Sequence, residues 1–381
     1  MKDIKNYYQS SHQELTKFID DDILKYQKLR NYDFGPNKRD NVSNLSKYVS
    51  HRIIFEFQLI KDVLKSHKLI NVEKFIQEVF WRIYWKGWLE NRPQVWSEFI
   101  NSSKLVDLDS YFYSAVSGKT KISFFNEWVQ ELKETNYLHN HTRMWFASIW
   151  IFSLNLPWQQ GANFFLENLY DGDAASNILS WRWVAGLQTK GKHYIARISN
   201  IEKYSDKKIH NTKLNEIASP IEEFTDDQIQ KCRSEYNFSK KNKNLIIFEN
   251  DLYFNNRINY YKSYEKIFLV FLKNNRVIKI NKNVLNFKYN LITNFNTEFK
   301  NSEVIIDKDF SDYIKNFKDF DCIYPFVGES LDFINKLKKE YNLNINFIYR
   351  EEDIFCWKYS TKGFFNFKKN IVKIIKELDL D

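Results

Sequence analysis

The sequence has 381 residues, 43% of them hydrophobic and 18% aromatic, and carries 57 Lys and Arg against 48 Asp and Glu, a formal net charge of +9. This length predicts two or three domains with sizeable cores. No run of about 18 uncharged apolar residues is present, and the polar N-terminal stretch MKDIKNYYQSSHQEL lacks the apolar centre of a signal peptide, so we expect a cytoplasmic protein without membrane contact. The three cysteines form no CxxC or Cys/His cluster, which argues against a metal site. The positive charge favours a polyanionic partner such as nucleic acid, although a solvated basic surface explains it equally well.

The first 200 residues have the apolar spacing of helices. Residues 75–90, FIQEVFWRIYWKGWLE, keep apolar side chains at helical intervals, and Pro93 predicts the end of this helix. The same pattern predicts helices over residues 140–154 and 163–169. Residues 203–243 are polar and contain Pro220, which predicts a linker with short helical pieces.

The pattern changes at about residue 244 to short apolar runs separated by helical segments. The runs that predict buried strands cover residues 245–248, 267–271, 304–306, 322–326 and 345–349. Helices are predicted over residues 331–341 and, as a basic amphipathic helix that closes the chain, over 367–378. We therefore expect an all-α domain (1–205), a linker with short helices (206–243) and a small Rossmann-like α/β domain with a parallel sheet (244–381).

Three polar clusters lie among the aromatic residues of positions 137–197. They are Asn140-His141-Thr142-Arg143-Met144, Asp171-Gly172-Asp173, and Asn177 with Trp181-Arg182-Trp183. Buried polar groups need partners, and a bound ligand can supply them, as can an ordinary polar network inside a helical bundle. Arg143 and Asp171 are expected to form a buried ion pair. Asp173 and Asn177, one helical turn apart, are predicted to face the same ligand edge.

The order and spacing of these clusters resemble the flavin-binding region of the photolyase/cryptochrome family, over about residues 26–205. The resemblance implies an FAD-binding helical domain in which Asn177 faces the flavin N5 and tunes its protonation. The residues that it places around the flavin in this region are Asn140, Arg143, Asp171, Gly172, Asp173 and Asn177.

A second element, Val42-Ser43-Asn44-Leu45-Ser46, precedes Lys47 and Tyr48. Ser43 and Ser46 are predicted to cap a helix here, and the free N–H groups of a helix start can bind phosphate. The element resembles the family's Thr-Ser-x-Leu-Ser motif, with Val42 in place of Thr, and so implies contact with the FAD diphosphate. Tyr26 matches an upstream phosphate-contacting tyrosine. The alternative is a plain helix cap, which is the commoner role of Ser-x-x-Ser.

Glu78, Trp81, Arg82 and Trp85 fall at positions i, i+3, i+4 and i+7 of one predicted helix face. An aromatic stripe usually packs in a core, but Glu and Arg within it favour a binding face. The segment resembles the family's Glu-Leu-x-Trp-Arg element, although Ile83 stands where the family has Glu. The resemblance implies that Glu78 bonds thymine carbonyls, Trp81 packs on a flipped pyrimidine dimer and Arg82 contacts DNA.

Trp183 and Met144 match the other wall and the floor of the lesion pocket in the same family. Members that repair (6-4) photoproducts carry histidines at the positions of Asn140 and Met144, so this pair favours cyclobutane dimers. The neighbouring His139 and His141 match neither catalytic position, and we expect both to be structural.

Trp181 and Trp158 match the inner and middle tryptophans of the family's electron relay. Leu105 stands where the outer tryptophan is expected, and Tyr111, Tyr113 or Trp145 are candidates to replace it.

The resemblance thus predicts a blue-light-dependent DNA photolyase that splits cyclobutane dimers, with FAD as cofactor, UV-damaged single- or double-stranded DNA as partner, and a monomeric state. A cryptochrome-like photoreceptor is the alternative, and a colourless nucleic-acid-binding module is a third. Because the α/β segment follows the flavin domain instead of preceding it, it is either a circularly permuted antenna domain, which we favour, or an unrelated module. Its short length predicts no second pigment. The basic, aromatic residues 353–369 are expected to pack on the flavin domain or to grip DNA.

Overall fold

The computed structural model describes residues 6–105, 108–218, 221, 228–230 and 235–381. Its first part is helical, as the apolar spacing predicted. The helices are α1 (Tyr7–Lys17), α2 (Ile23–Leu29), α3 (Ser46–Val49), α4 (Glu56–Ser66), α5 (Leu69–Glu90), α6 (Gln94–Leu105), α7 (Ser110–Val116), α8 (Ser123–Thr135), α9 (Asn140–Ser148), α10 (Trp158–Asn168), α11 (Ala174–Val184) and α12 (Ile198–Tyr204). Two π-helical turns, Phe18–Asp22 and Ile149–Ser153, follow α1 and α9. No helix in the described part of the chain is both long and apolar enough to cross a membrane.

The second part is a five-stranded parallel sheet with the order β3-β2-β1-β4-β5. Its strands are β1 (Asn244–Phe248), β2 (Lys266–Phe271), β3 (Ser302–Ile306), β4 (Asp319–Ile323) and β5 (Asn344–Ile348). The accompanying helices are α13 (Ile258–Lys262), α14 (Lys282–Glu298), α15 (Phe310–Ile314), α16 (Glu329–Glu340), α17 (Glu351–Trp357), α18 (Phe364–Lys368) and α19 (Ile371–Glu377). Strands β1 and β2 are buried along almost their whole length and read as unbroken apolar runs, which is why the sequence revealed them.

Several boundaries differ from the sequence-based prediction. Strand β4 ends three residues earlier than predicted, and α5 begins at Leu69 because apolar spacing does not mark a helix start. The predicted closing helix over 367–378 is instead two short helices, α18 and α19, separated by Lys369 and Asn370. In the predicted linker, the described residues form no helix between α12 and β1, while residues 219–220 (including Pro220), 222–227 and 231–234 lie outside the description.

A buried charge network joins the helical part to the sheet part. The Arg52 side chain, which has no exposed surface, donates to Glu56 at 3.0 Å, to Asp251 after β1 at 3.1 Å and to Asp353 of α17 at 2.6 Å. Arg350 bonds the same Asp251. Removing one member of such a network leaves buried charges uncompensated, so these contacts bind the two parts tightly.

The end of the chain returns to the helical part. Helices α17 and α18 both pack on α5. Gly87 of α5 permits this approach, because a Cβ atom there would lie 2.5 Å from the Ser360 hydroxyl and 2.9 Å from the Trp357 ring. The prediction that the basic, aromatic segment packs back on the helical part is therefore confirmed.

Candidate functional site

A cavity of about 480 Å³ lies among α2, α5, α9 and α11. Its volume falls in the range of small-molecule sites, about 300–1,000 Å³. Most of the residues singled out from the sequence line it, namely Tyr26, Val42, Ser46, Glu78, Trp81, Arg82, Asn140, Arg143, Met144, Asp171, Gly172, Asn177, Trp181 and Trp183. Lining residues that the sequence analysis did not single out for the site include Arg30, Tyr137, Ser176 and Ser180, which carry no motif of their own.

One face of α5 forms a wall of this cavity. Glu78, Trp81, Arg82 and Trp85 all line it, as their helical spacing predicted. Glu78 keeps 39% of its side-chain surface, and its Oε1 lies 3.9 Å from the Arg30 Nε. Burial raises the pKa of Glu78 above its usual value, while the positive charges of Arg30 and Lys74 act in the opposite direction. The carboxyl group is therefore easier to protonate than one in water.

Arg143 and Asp171 form the predicted ion pair on the cavity wall. The Arg143 Nη2 donates to Asp171 Oδ2 at 2.9 Å, and its Nε donates to the Leu138 carbonyl at 2.9 Å. Burial is the largest single influence on the pKa of Asp171 and raises it, but the charge and hydrogen bond of Arg143, together with the effects of other neighbours, hold the pKa below its usual value. The wall thus keeps a fixed carboxylate and a guanidinium together beside the cavity.

Asp173 and Asn177 have different protein partners, and their placement at one ligand edge stays a prediction. The Asp173 carboxylate caps α11 by accepting from the Ser176 N–H at 2.8 Å, and it also pairs with Arg82. Asn177 lines the cavity, where its Nδ2 donates to the Ala162 carbonyl at 2.9 Å. An N-cap side chain accepts from an N–H group of the first helical turn, so the Asp173 carboxylate is held at the start of α11.

The segment from Val42 to Ser46 only partly meets its prediction. Helix α3 begins at Ser46, its N-cap residue is Leu45, and no side chain caps it, so the predicted serine cap is wrong. Val42 and Ser46 line the cavity. Ser43 instead accepts a hydrogen bond from the Leu45 N–H at 3.4 Å, Asn44 (φ 54°) donates to the Arg39 carbonyl, and Leu45 is buried in the core.

Aromatic side chains form two walls at the cavity. The Trp81 ring stacks on Phe364 of α18 with 3.6 Å between ring centroids and 13° between ring planes. Trp183 stacks on Tyr194 at 5.7 Å. The two tryptophans and Met144 line the same cavity, so the side chains that the family resemblance assigned to a lesion pocket are brought together.

The neighbouring histidines are structural in this fold. His139 is buried and accepts from the His141 N–H at the start of α9. The His141 ring contacts the Asn31 carbonyl at 2.9 Å and the Tyr194 hydroxyl at 3.3 Å. The His141 ring is thus held by protein partners, whereas the buried His139 Nε2 has no hydrogen-bond partner in the described part of the chain.

Trp181 belongs to a ladder of aromatic rings that leads to the surface. Its ring centroid lies 6.2 Å from that of Trp150, which lies 6.0 Å from Phe112, which in turn lies 5.5 Å from Tyr113. Tyr113 is 56% exposed. Trp158, predicted as the middle relay residue, is buried with its ring 5.7 Å from Phe99. Sequence analysis missed Trp150 because a tryptophan in an apolar helix resembles any core residue.

Residues 75–248 match the family model for the FAD binding domain of DNA photolyase. This match covers just under half of the chain, and over these residues the chain is similar to the flavin domain of DNA photolyases. It is 28% identical over 286 residues to a deoxyribodipyrimidine photo-lyase of Buchnera aphidicola subsp. Baizongia pistaciae, an alignment that covers 68% of this chain and 58% of that protein. It is 30% identical over 153 residues to the deoxyribodipyrimidine photo-lyase of Streptomyces griseus, covering 39% and 33% respectively. The chain thus spans less than two thirds of the length of these curated relatives.

Among solved structures, a class III photolyase from Agrobacterium tumefaciens aligns at 24% identity with a TM-score of 0.45, over 52% of this chain and 42% of that one.

The match to an FAD binding domain identifies FAD as the cofactor, and the cavity residues suit that group. Among the lining residues, the Ser176 Oγ and the Trp181 Nε1 are buried polar atoms without a hydrogen-bond partner in the described part of the chain. A buried polar atom without a hydrogen-bond partner lowers the stability of the fold, and a bound ligand can supply that partner. The aromatic lining supplies apolar surface for a flat ring system, and Arg143 supplies a cation for a phosphate or carbonyl oxygen.

Proposed function

We propose that this chain is a blue-light-dependent DNA photolyase that holds FAD in the 480 Å³ cavity and splits cyclobutane pyrimidine dimers. One observation carries the proposal: Glu78, Trp81, Met144 and Trp183 line the same cavity as Arg143, Asp171 and Asn177. A flavoprotein that only senses light has no need for lesion-binding side chains such as Glu78, Trp81, Met144 and Trp183 beside its cofactor. Because the chain spans only part of its relatives, activity and substrate are proposed, not carried over.

The cavity residues have different roles in binding the cofactor and the lesion. Arg143, paired with Asp171, is a fixed cation for the electronegative edge of the cofactor, and Asn177 offers it an amide. When bound, FAD supplies the light absorption and the single electron that dimer splitting borrows and returns. Trp81 and Trp183 form apolar walls for a flipped-out dimer, which leaves the duplex readily because a lesion is already poorly stacked. Met144 forms the floor.

Glu78 is proposed to donate a hydrogen bond to the dimer carbonyls. A carboxyl group donates only when protonated, and the raised pKa of Glu78 extends the pH range in which it is protonated. Neither Asn140 nor Met144 can shuttle a proton. The pocket therefore suits the splitting of a cyclobutane ring, which needs no proton transfer, and not the repair of (6-4) products.

The deciding experiment is to purify the protein, record the flavin spectrum, and illuminate it with an oligonucleotide that carries one cyclobutane dimer. We expect light-dependent recovery of intact thymines and none in the dark. A flavin-containing protein that repairs nothing would overturn the proposal and favour a photoreceptor, and a colourless protein would remove the cofactor assignment.

Variants of Glu78 separate hydrogen bonding from folding. Glu78→Ala should lower the repair yield while the flavin content stays intact, and Glu78→Gln, which keeps an N–H donor, should retain more of the yield. The wild-type yield should fall as the pH rises through the raised pKa of Glu78, whereas the yield of Glu78→Gln should stay flat. Equal yields for all three proteins would remove Glu78 from the site.

Asn177 tests the cofactor end of the cavity. Asn177→Asp places a carboxylate where an amide stands now, and we expect a change in which flavin redox state persists in air, read from the absorption spectrum. An unchanged spectrum would mean that Asn177 does not face the flavin.

A further inference from the structure

The chain ends in an unusually basic stretch. Residues 354–376 contain six lysines and no acidic residue. We call residues 358–376 the basic segment, which includes α18 and most of α19. Its one ion pair with α5 joins Lys368 to Glu73 at 3.7 Å among the residues described. Lys362 and Lys369 are exposed and have no ion-pair partner in the described chain.

The basic segment lies at the wall of the cavity. Phe364 covers one face of Trp81, and Phe364 and Phe367 also contact Tyr84 at 5.5 Å and 5.6 Å. These contacts hold α18 against the face of α5 that lines the cavity. The sheet part of the chain therefore supports, through its last helices, one wall residue of a cavity that is lined by the helical part.

Phe365 is the next residue after this anchor and is 78% exposed. Consecutive Cα atoms are about 3.8 Å apart, so Phe365 lies close to the residue that stacks on Trp81. A large exposed aromatic side chain flanked by unpaired lysines matches the chemistry of nucleic-acid strand binding, in which aromatic rings stack on bases and basic side chains neutralise phosphates.

We propose that the basic segment is a DNA-binding edge of the cavity, in which Lys362 and Lys369 bind phosphates of the strand beside the lesion and Phe365 stacks on an unpaired base. The inference rests on the proposed function, since it adds a grip for the same substrate. It assigns to the end of the chain a part of substrate binding that lies outside the matched domain, residues 75–248.

This role can be tested in the dark, without any photochemistry. Fluorescence anisotropy measures how tightly the protein binds a labelled, dimer-containing oligonucleotide at several salt concentrations. The double variant Lys362→Ala/Lys369→Ala should bind the oligonucleotide more weakly. The slope of log affinity against log salt concentration should also be shallower by about 2, because each lost phosphate contact removes close to one unit of slope. Phe365→Ala should weaken binding about fivefold or more, the effect expected for a lost base stack. Flavin content should stay at the wild-type value in both.

The matched control is Lys338→Ala/Lys339→Ala, which removes the same charge from the exposed end of α16. The proposal is overturned if the basic-segment variants bind with the affinity and salt dependence of this control while the wild type binds and repairs the lesion. If the wild type neither binds nor repairs dimer-containing DNA, the proposed function fails, and the DNA-binding role of the segment fails with it.

Discussion

The cavity in the helical part and the interface between the helical and sheet parts both contain buried charge, but they use it differently. At the interface, Arg52 bonds three carboxylates and Lys86 bonds Glu56 at 2.7 Å, so the charges satisfy one another. In the cavity, Glu78 remains 39% exposed. Charges that pair with one another hold a fold together, whereas polar groups facing open space are free to meet a ligand.

Substitution of Arg52 should destabilise the interface between the helical and sheet parts the most. Arg52→Ala leaves Glu56, Asp251 and Asp353 without their shared cation, and we expect a loss of about 3–5 kcal/mol in the free energy of unfolding. Urea denaturation followed by tryptophan fluorescence measures it. The control is Lys61→Ala, which breaks an exposed pair with Asp379 and should cost less than about 1 kcal/mol. Equal losses in the two variants would contradict the structural role of the network.

Acid should also weaken the interface. The two ring nitrogens of His51 contact the carbonyls of Glu249 at 2.9 Å and Tyr170 at 3.0 Å, and burial, with the nearby Lys288, lowers the His51 pKa to about 4. In the unfolded chain the histidine pKa is near 6.5, so the unfolded state binds the proton first. Stability is therefore full above about pH 6.5 and declines as the pH falls toward 4, by about 3 kcal/mol from this residue.

Melting temperatures between pH 8 and pH 4 would reveal this decline. His51→Gln should make the pH dependence less steep without abolishing it, because burial also lowers the pKa of His139 to about 4. A variant that keeps the full wild-type slope would show that His51 is not the titrating group.

Substitution of one glycine in each of the two regions should destabilise the protein less than substitution of Arg52. A Cβ at Gly161 would overlap the Trp181 ring at the cavity, and one at Gly87 would meet Ser360 and Trp357 at the interface. Overpacking of this kind costs about 1–3 kcal/mol, so both Ala variants should melt earlier. Because Trp181 lines the cavity, Gly161→Ala should also lose flavin, whereas Gly87→Ala should keep its colour. Equal flavin loss in both would mean that the two regions are not independent.

Much of the fold could be predicted from the sequence because it depends on local periodicity. Strands β1 and β2 are runs of apolar residues, and the cavity-lining face of α5 follows from the helical spacing of Glu78, Trp81, Arg82 and Trp85. The Arg143–Asp171 pair was predictable because a lone buried charge is costly. The failed serine cap and the pairing of Asp173 with Arg82 depend on side-chain choices between competing partners, which spacing does not reveal.

The sequence alone established an aromatic helical part, a parallel α/β part after it, and the polar clusters that the cavity brings together. These features depend on the spacing of apolar residues and on the order of motifs, which can be read directly from the sequence. Only the tertiary structure decided that α17 and α18 fold back onto α5, that Phe364 stacks on Trp81, and that Trp150 contacts Trp181. The physical reason is distance along the chain. Contacts between residues tens or hundreds of positions apart depend on how whole elements pack, and no local pattern encodes that packing.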